Sequence, residues 1–102
     1  MPTKIAAIYE NPQDPAAFEA GHHEQLALAR KIPGVERIES AKVWPKEDGS
    51  ATPAYRLLEL YFADYDTASK AVTTAEASAF VSKVFELATG GVRLVFADVE
   101  KV

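Results

Sequence analysis

The sequence predicts an α+β fold of the ferredoxin-like kind: one antiparallel sheet of four strands with the helices on one side. Three observations predict it. The apolar spacing changes along the chain in the order β-α-β-β-α-β, the split βαβ arrangement, which gives the strand order 4-1-3-2. The length of 102 residues suits a single domain, 1–102, with no repeat or linker. The strands are short, aromatic and branched, and are bounded by Pro, Gly, Asn and Asp.

Thr3–Tyr9 puts Ile5, Ala7 and Tyr9 on one side and Ala6 and Ile8 on the other. Both sides are largely apolar, so a central strand covered on both faces is expected. Asn11-Pro12 ends it. Residues 14–35 predict a capped helix running into a turn. Asp14 is a good N-cap, Pro15 suits the first helical position, and Pro33-Gly34 stops the helix. Phe18, His22, Gln25, Ala29 and Ile32 follow the spacing of one helix face. Val35–Trp44 reads as a strand with Ile38, Ser40 and Trp44 on one side. A solvated loop, 45–50, follows. Ala54–Ala63 is the strongest strand, with Leu58, Leu60 and Phe62 as its clean face. Asp64 caps a short helix, 64–74, with Tyr65, Ala68 and Val72 expected inward. Residues 76–89 continue it after a kink, with Phe80, Val84 and Leu87 as the apolar stripe. Gly90-Gly91 closes that helix, and Val92–Val99 is the last strand.

Composition excludes several function classes. Net charge is -4 with no basic cluster, which speaks against nucleic acid or an anionic membrane as partner. Cysteine is absent, so there is no disulfide, thiol nucleophile or thiolate metal site. No apolar run approaches the roughly 20 residues of a membrane span. The opening MPTKIAAIYE is a poor signal peptide, so a cytoplasmic protein is expected. There is no HExxH, no carboxylate cluster with metal spacing, no G-x-S-x-G and no GxGxxG. No metal and no cofactor are expected.

Helices on one side cover one sheet face only, yet Ala6, Ile8, Ala41, Val43, Val95 and Ala97 make the second face apolar too. A wet face of that kind exceeds what monomers normally expose. A homodimer packed through the sheet face away from the helices is the expected solution.

The segments IYENPQDPAAF, ARKIPGV, YRLLELYFADYDTASKAV and ATGGVRLVFADVE resemble EthD-domain proteins, over nearly the whole chain. The resemblance implies a dimeric α+β barrel, two ferredoxin-like units closing their sheets on each other. It also implies relatives that include cofactor-free monooxygenases, muconolactone-type isomerases and polyketide cyclases. In that family the first helix carries a Tyr and, four residues on, a His followed by a small-Pro-Leu step. Counting back from ARKIPG, Gly21 stands at the Tyr position, Gln25 at the His and Ala27 at the Pro, while Leu28 keeps the Leu. The usual polar pair is absent, and His22 and His23 stand one turn earlier.

The candidate site is where polar residues interrupt apolar patterns. His22 can exchange a proton near neutral pH, or it can simply hydrogen-bond a partner under the helix. His23 is about 100° round the helix and sits one turn from Glu19, which suits a surface pair. Gln25 can orient a ligand carbonyl or fill the core. Glu59 lies in mid-strand within LLELYF, as a general base or as the partner of Arg93, Lys42 or Arg37. Burying His22 or Gln25 unpaired would cost roughly 1–3 kcal/mol. One cavity is therefore expected, lined by Tyr9, Phe18, His22, Gln25 and Tyr61, with Glu59 joining if its strand presents that parity. His22 and Glu59 would be its catalytic groups and the others its ligand contacts. An apolar small organic molecule would be its occupant. It would be changed by cofactor-free proton-transfer, isomerase or oxygenase-type chemistry, or alternatively bound without turnover.

Overall fold

The computed structural model describes all of residues 1–102. Its elements are β1 (Thr3–Tyr9), α1 (Pro15–Arg30), β2 (Arg37–Lys42), β3 (Arg56–Phe62), α2 (Tyr65–Ala71), α3 (Ala75–Leu87) and β4 (Val92–Asp98). The sheet order is β2-β3-β1-β4, every neighbouring pair antiparallel, as the sequence predicts. No helix is long and apolar enough to cross a membrane.

Register decides which side chains meet the helices. Thr3, Ile5, Ala7 and Tyr9 stand opposite Phe62, Leu60, Leu58 and Arg56. Ile38 and Ser40 stand opposite Leu60 and Leu58. Directly opposed residues share a face, so all of these point to the helices. Leu58, Leu60 and Phe62 are almost fully buried there, in one core with Tyr9, Phe18, Ala29, Phe80 and Val84. The clean apolar face of β3 takes the helix side because that side removes the most surface from water. Leu57, Glu59 and Tyr61 are thereby turned to the far face.

The helix starts follow their caps. Asp14 accepts from the amides of Ala16 and Ala17, Asp64 from Thr67, and Thr74 from Ala77. Because Thr74 is a cap, α2 and α3 are separate helices rather than one kinked helix. Two expectations for α2 fail. Tyr65 and Val72 are exposed, and Ala68 and Ala71 are the buried pair. Only small side chains let so short a helix lie close against the sheet. Tyr65, at its first position, turns instead toward Phe96, with ring centroids 6.2 Å apart. Likewise β2 ends at Lys42, and Trp44 lies beyond it, 86% exposed. Gly90 is required by close approach: a Cβ there would stand 1.9 Å from the Asn11 carbonyl oxygen, where the loops after β1 and α3 cross.

Candidate functional site

The capped start of α1 sets its phase, so that Phe18, His22, Gln25 and Ala29 face the sheet. Beneath them lie Tyr9 of β1, Ser40 of β2 and Arg56 of β3. Gln25 and Tyr9 are wholly buried and His22 is 7% exposed. None is left unpaired. The Tyr9 hydroxyl donates to Gln25 Oε1. Gln25 Nε2 lies 2.9 Å from His22 Nδ1, and His22 Nε2 lies 3.0 Å from Ser40 Oγ. Arg56 Nη1 donates to the same Ser40 Oγ at 3.3 Å. Arg56 also holds Glu19 in a two-pronged pair, Nη2 to Oε1 at 2.6 Å and Nε to Oε2 at 3.0 Å. Tyr55 OH completes the row by donating to Glu19 Oε2 at 2.8 Å.

Aromatic rings close the remaining space. Phe18 meets Tyr9 and Tyr55 edge-on, at 4.9 and 5.2 Å between centroids, and stacks on the His22 ring at 5.9 Å.

This environment sets the charges. Burial lowers the proton affinity of His22, and the nearby Arg56 cation adds to that against the opposing pull of Glu19. The Arg56 guanidinium beside Glu19 holds its carboxyl down at about 2. Burial pushes the Tyr9 hydroxyl above its ordinary range. At neutral pH the row is therefore a neutral imidazole, a neutral phenol and one ion pair.

Of the six expected site residues, the structure brings four together: Tyr9, Phe18, His22 and Gln25. Glu59 and Tyr61 lie on the far sheet face, so the single cavity expected from all of them is not formed. Their strand presents the opposite parity to Tyr9. Glu59 pairs there with Lys4 at 2.5 Å, across from β1, rather than with Arg93, Lys42 or Arg37. Tyr61 donates to Glu39 at 3.0 Å, under the Arg37 guanidinium at 4.0 Å. His23 is exposed, and Glu19 is engaged by Arg56 instead. Ser40, Arg56, Glu19 and Tyr55 are the members that sequence reasoning misses. Arg56 carried a signal, since it shares the period-2 side of Leu58, Leu60 and Phe62.

A cavity of 580 Å³ opens beside Tyr55, and two more lie elsewhere between helices and sheet. One is apolar, 220 Å³, and lies between sheet and helices under α3. All ten of its lining residues are hydrophobic, among them Ile5, Ile32, Leu60, Phe80, Leu94 and Phe96. Val72, Leu94 and Phe96 are part-exposed, so they mark its mouth. The other is an open groove of 380 Å³ between α1 and β2, with Ser40 in its wall. No three His, Asp or Glu side chains converge as they would for a metal ion.

Gly21 stands where α1 and α3 pack closely. A Cβ on Gly21 would stand 2.5 Å from Leu87 Cδ2, so α3 fills the space that a side chain on α1 would need.

Comparisons with known proteins agree with this architecture. No protein-family model matches the sequence. An uncharacterized 11.0 kDa protein from the thcB-thcC intergenic region of Rhodococcus erythropolis is 33% identical over 100 residues, 97% of this chain and 96% of that one. A crystal structure of an ethyl tert-butyl ether degradation (EthD) family protein from Bacillus halodurans superposes with a TM-score of 0.89. It is 26% identical, and the match covers 98% of this chain and 100% of that one. SnoaB, a cofactor-independent oxygenase from Streptomyces nogalater, matches at TM-score 0.69 and 14% identity over 99% of this chain and 94% of its own. A dimeric ferredoxin-like protein of unknown function from Jannaschia matches at TM-score 0.73 and 13% identity, over 97% and 100%. The last two share the fold alone. Near-complete coverage, the strand order and the relatives on both the sequence and the structure side lead to one conclusion: this chain belongs to the EthD family.

Proposed function

We propose that this protein is a homodimer that binds a small, apolar organic molecule in the cavity under α3 and does not turn it over at His22. The observation that carries this is the lining of that cavity: ten hydrophobic residues and no polar one, around 220 Å³. A cavity of about 150 Å³ lined by Leu, Ile and Phe stays dry and binds benzene. The volume here suits a ring with substituents. Proton transfer would need an ionisable side chain beside the ligand, and the lining supplies none. His22 has both ring nitrogens engaged within the protein, so it has no free lone pair to act as a base.

The dimer reading is supported by the far sheet face. Ala6, Ile8, Leu57 and Val95 form its apolar centre, flanked by the Lys4–Glu59 and Arg37–Glu39 pairs. Val95 is 42% exposed in the single chain. A second copy would cover it by packing sheet on sheet.

Thermal unfolding with toluene tests the binding reading. At ten times its Kd, toluene should raise Tm by about 5–10 °C. Val81→Phe, which places a ring in the cavity, should fold and lose that shift. An equal shift in both proteins, or none in either, would sink the reading.

A further inference from the structure

Within the row beneath α1, the Tyr9 proton assigns the direction of the three hydrogen bonds that link Tyr9, Gln25, His22 and Ser40. The Tyr9 hydroxyl is buried, and Gln25 Oε1 is its acceptor. With the Gln25 amide turned over, the Tyr9 proton would face an N–H and have nowhere to go. Gln25 therefore offers N–H to His22 Nδ1. The imidazole must then carry its proton on Nε2, and donates it to Ser40 Oγ. Arg56 donates to the same oxygen. Two donors occupy the two lone pairs of the Ser40 hydroxyl, so what remains is its hydrogen. Ser40 lines the groove between α1 and β2, so that hydrogen is offered to the groove. Donor-to-acceptor chains of this kind polarise one another, which makes the last O–H a better donor.

The groove is suited to a ligand that meets such a donor. Its volume is 380 Å³, and Leu26, Val35 and Ile38 give it an apolar wall. Arg30 stands at its side and takes part in no ion pair. We propose that this groove is a second binding site, taking a small molecule with an apolar body and an oxygen acceptor, a carbonyl or a carboxylate, that receives the Ser40 hydrogen. The site is separate from the apolar cavity under α3 and does not depend on it. Ser40 is not a nucleophile in this arrangement, because His22 has no lone pair with which to take its proton.

Acetophenone and benzoate serve as carbonyl and carboxylate probes, and toluene as a probe with no acceptor. In amide NMR titrations, acetophenone or benzoate should shift Leu26, Ile38 and Ser40, and toluene should not. Whichever of the two binds more tightly identifies the acceptor; benzoate would be favoured by Arg30 and opposed by Glu36, which also lines the groove. Ser40→Ala should weaken binding roughly tenfold, and Ser40→Thr, which keeps the hydroxyl, should restore it. Gln25→Glu leaves the Tyr9 bond as it is and reverses the two beyond it. A carboxylate only accepts, so the His22 proton moves to Nδ1 and Ser40 donates inward to Nε2. Ring-nitrogen NMR should report that tautomer, and affinity should fall as it does in Ser40→Ala. Unmoved groove amides with both probes at millimolar concentration, or equal affinity in wild type and Ser40→Ala, would overturn the proposal. Either failure leaves the toluene result at the α3 cavity untouched.

Discussion

Gln25 is the residue on which the polar row depends, because it bonds on both sides and is wholly buried. Gln25→Met keeps the volume and orphans the Tyr9 hydroxyl and His22 Nδ1. Each orphan should cost roughly 1–3 kcal/mol. Adding Tyr9→Phe removes one orphan, so the double variant should be more stable than Gln25→Met alone. Denaturant titration of the four-protein cycle reads this directly. His22 gives a second prediction at this scale. Its folded proton affinity lies below the ordinary value of 6.5, chiefly through burial. The unfolded chain therefore takes up the proton first. The contribution is fully present above pH 6.5 and is lost as pH falls through the folded value. His22→Asn should be less stable than wild type at neutral pH and should lose less stability as pH falls below 6.5. Glu19 has the same sign further down. Its ordinary value is 4.5 and Arg56 holds it at about 2, so its contribution is present above 4.5 and fades toward 2. Glu19→Gln should flatten that acid limb, modestly, because Glu19 is 36% exposed. That Phe18, His22 and Gln25 face inward was legible in the helical spacing alone. Their partners Ser40 and Arg56 were not, because finding them needs the β2–β3 register, which the sequence does not print.

At the scale of elements, the caps Asp14 and Asp64 were readable, because a polar residue before an apolar period announces a helix start locally. Thr74, which accepts from the first turn of α3, was not, because 64–89 reads as one kinked helix. Thr74→Ala should cost about 1 kcal/mol, lowering Tm by roughly 4–8 °C. Gly90→Ala should cost more, about 1–3 kcal/mol, because its Cβ would meet backbone rather than a mobile side chain. Gly21→Ala should be milder, since the clash there is with the end of Leu87. The inward face of α2 was not readable. Tyr65 and Val72 fit the helical period as well as Ala71 does, and only the closeness of the sheet selects the small side chains. The parity of β3 was half readable. Leu58, Leu60 and Phe62 declared a face, and Glu59 and Tyr61 had to take the other.

For the whole molecule, the sheet has two faces and the helices cover one. If a second copy covers the other, light scattering should report twice the 11.1 kDa of one chain at micromolar concentration. Val95→Glu places a charge at the middle of that face and should return the mass to one chain. A wild-type mass of one chain would contradict the dimer. The β-α-β-β-α-β order and the excess of apolar strand residues were visible in the sequence. The cavity under α3 was not, because its lining comes from four elements and the turns after α1 and α2. That cavity as a ligand site is the central proposal. A crystal of the protein equilibrated with bromobenzene tests it directly through the anomalous signal of bromine. A bromine peak enclosed by Ile32, Phe80, Leu94 and Phe96 is expected in every copy of the chain. A cavity without bromine, closed over by Phe96 or filled with ordered water, would contradict the proposal.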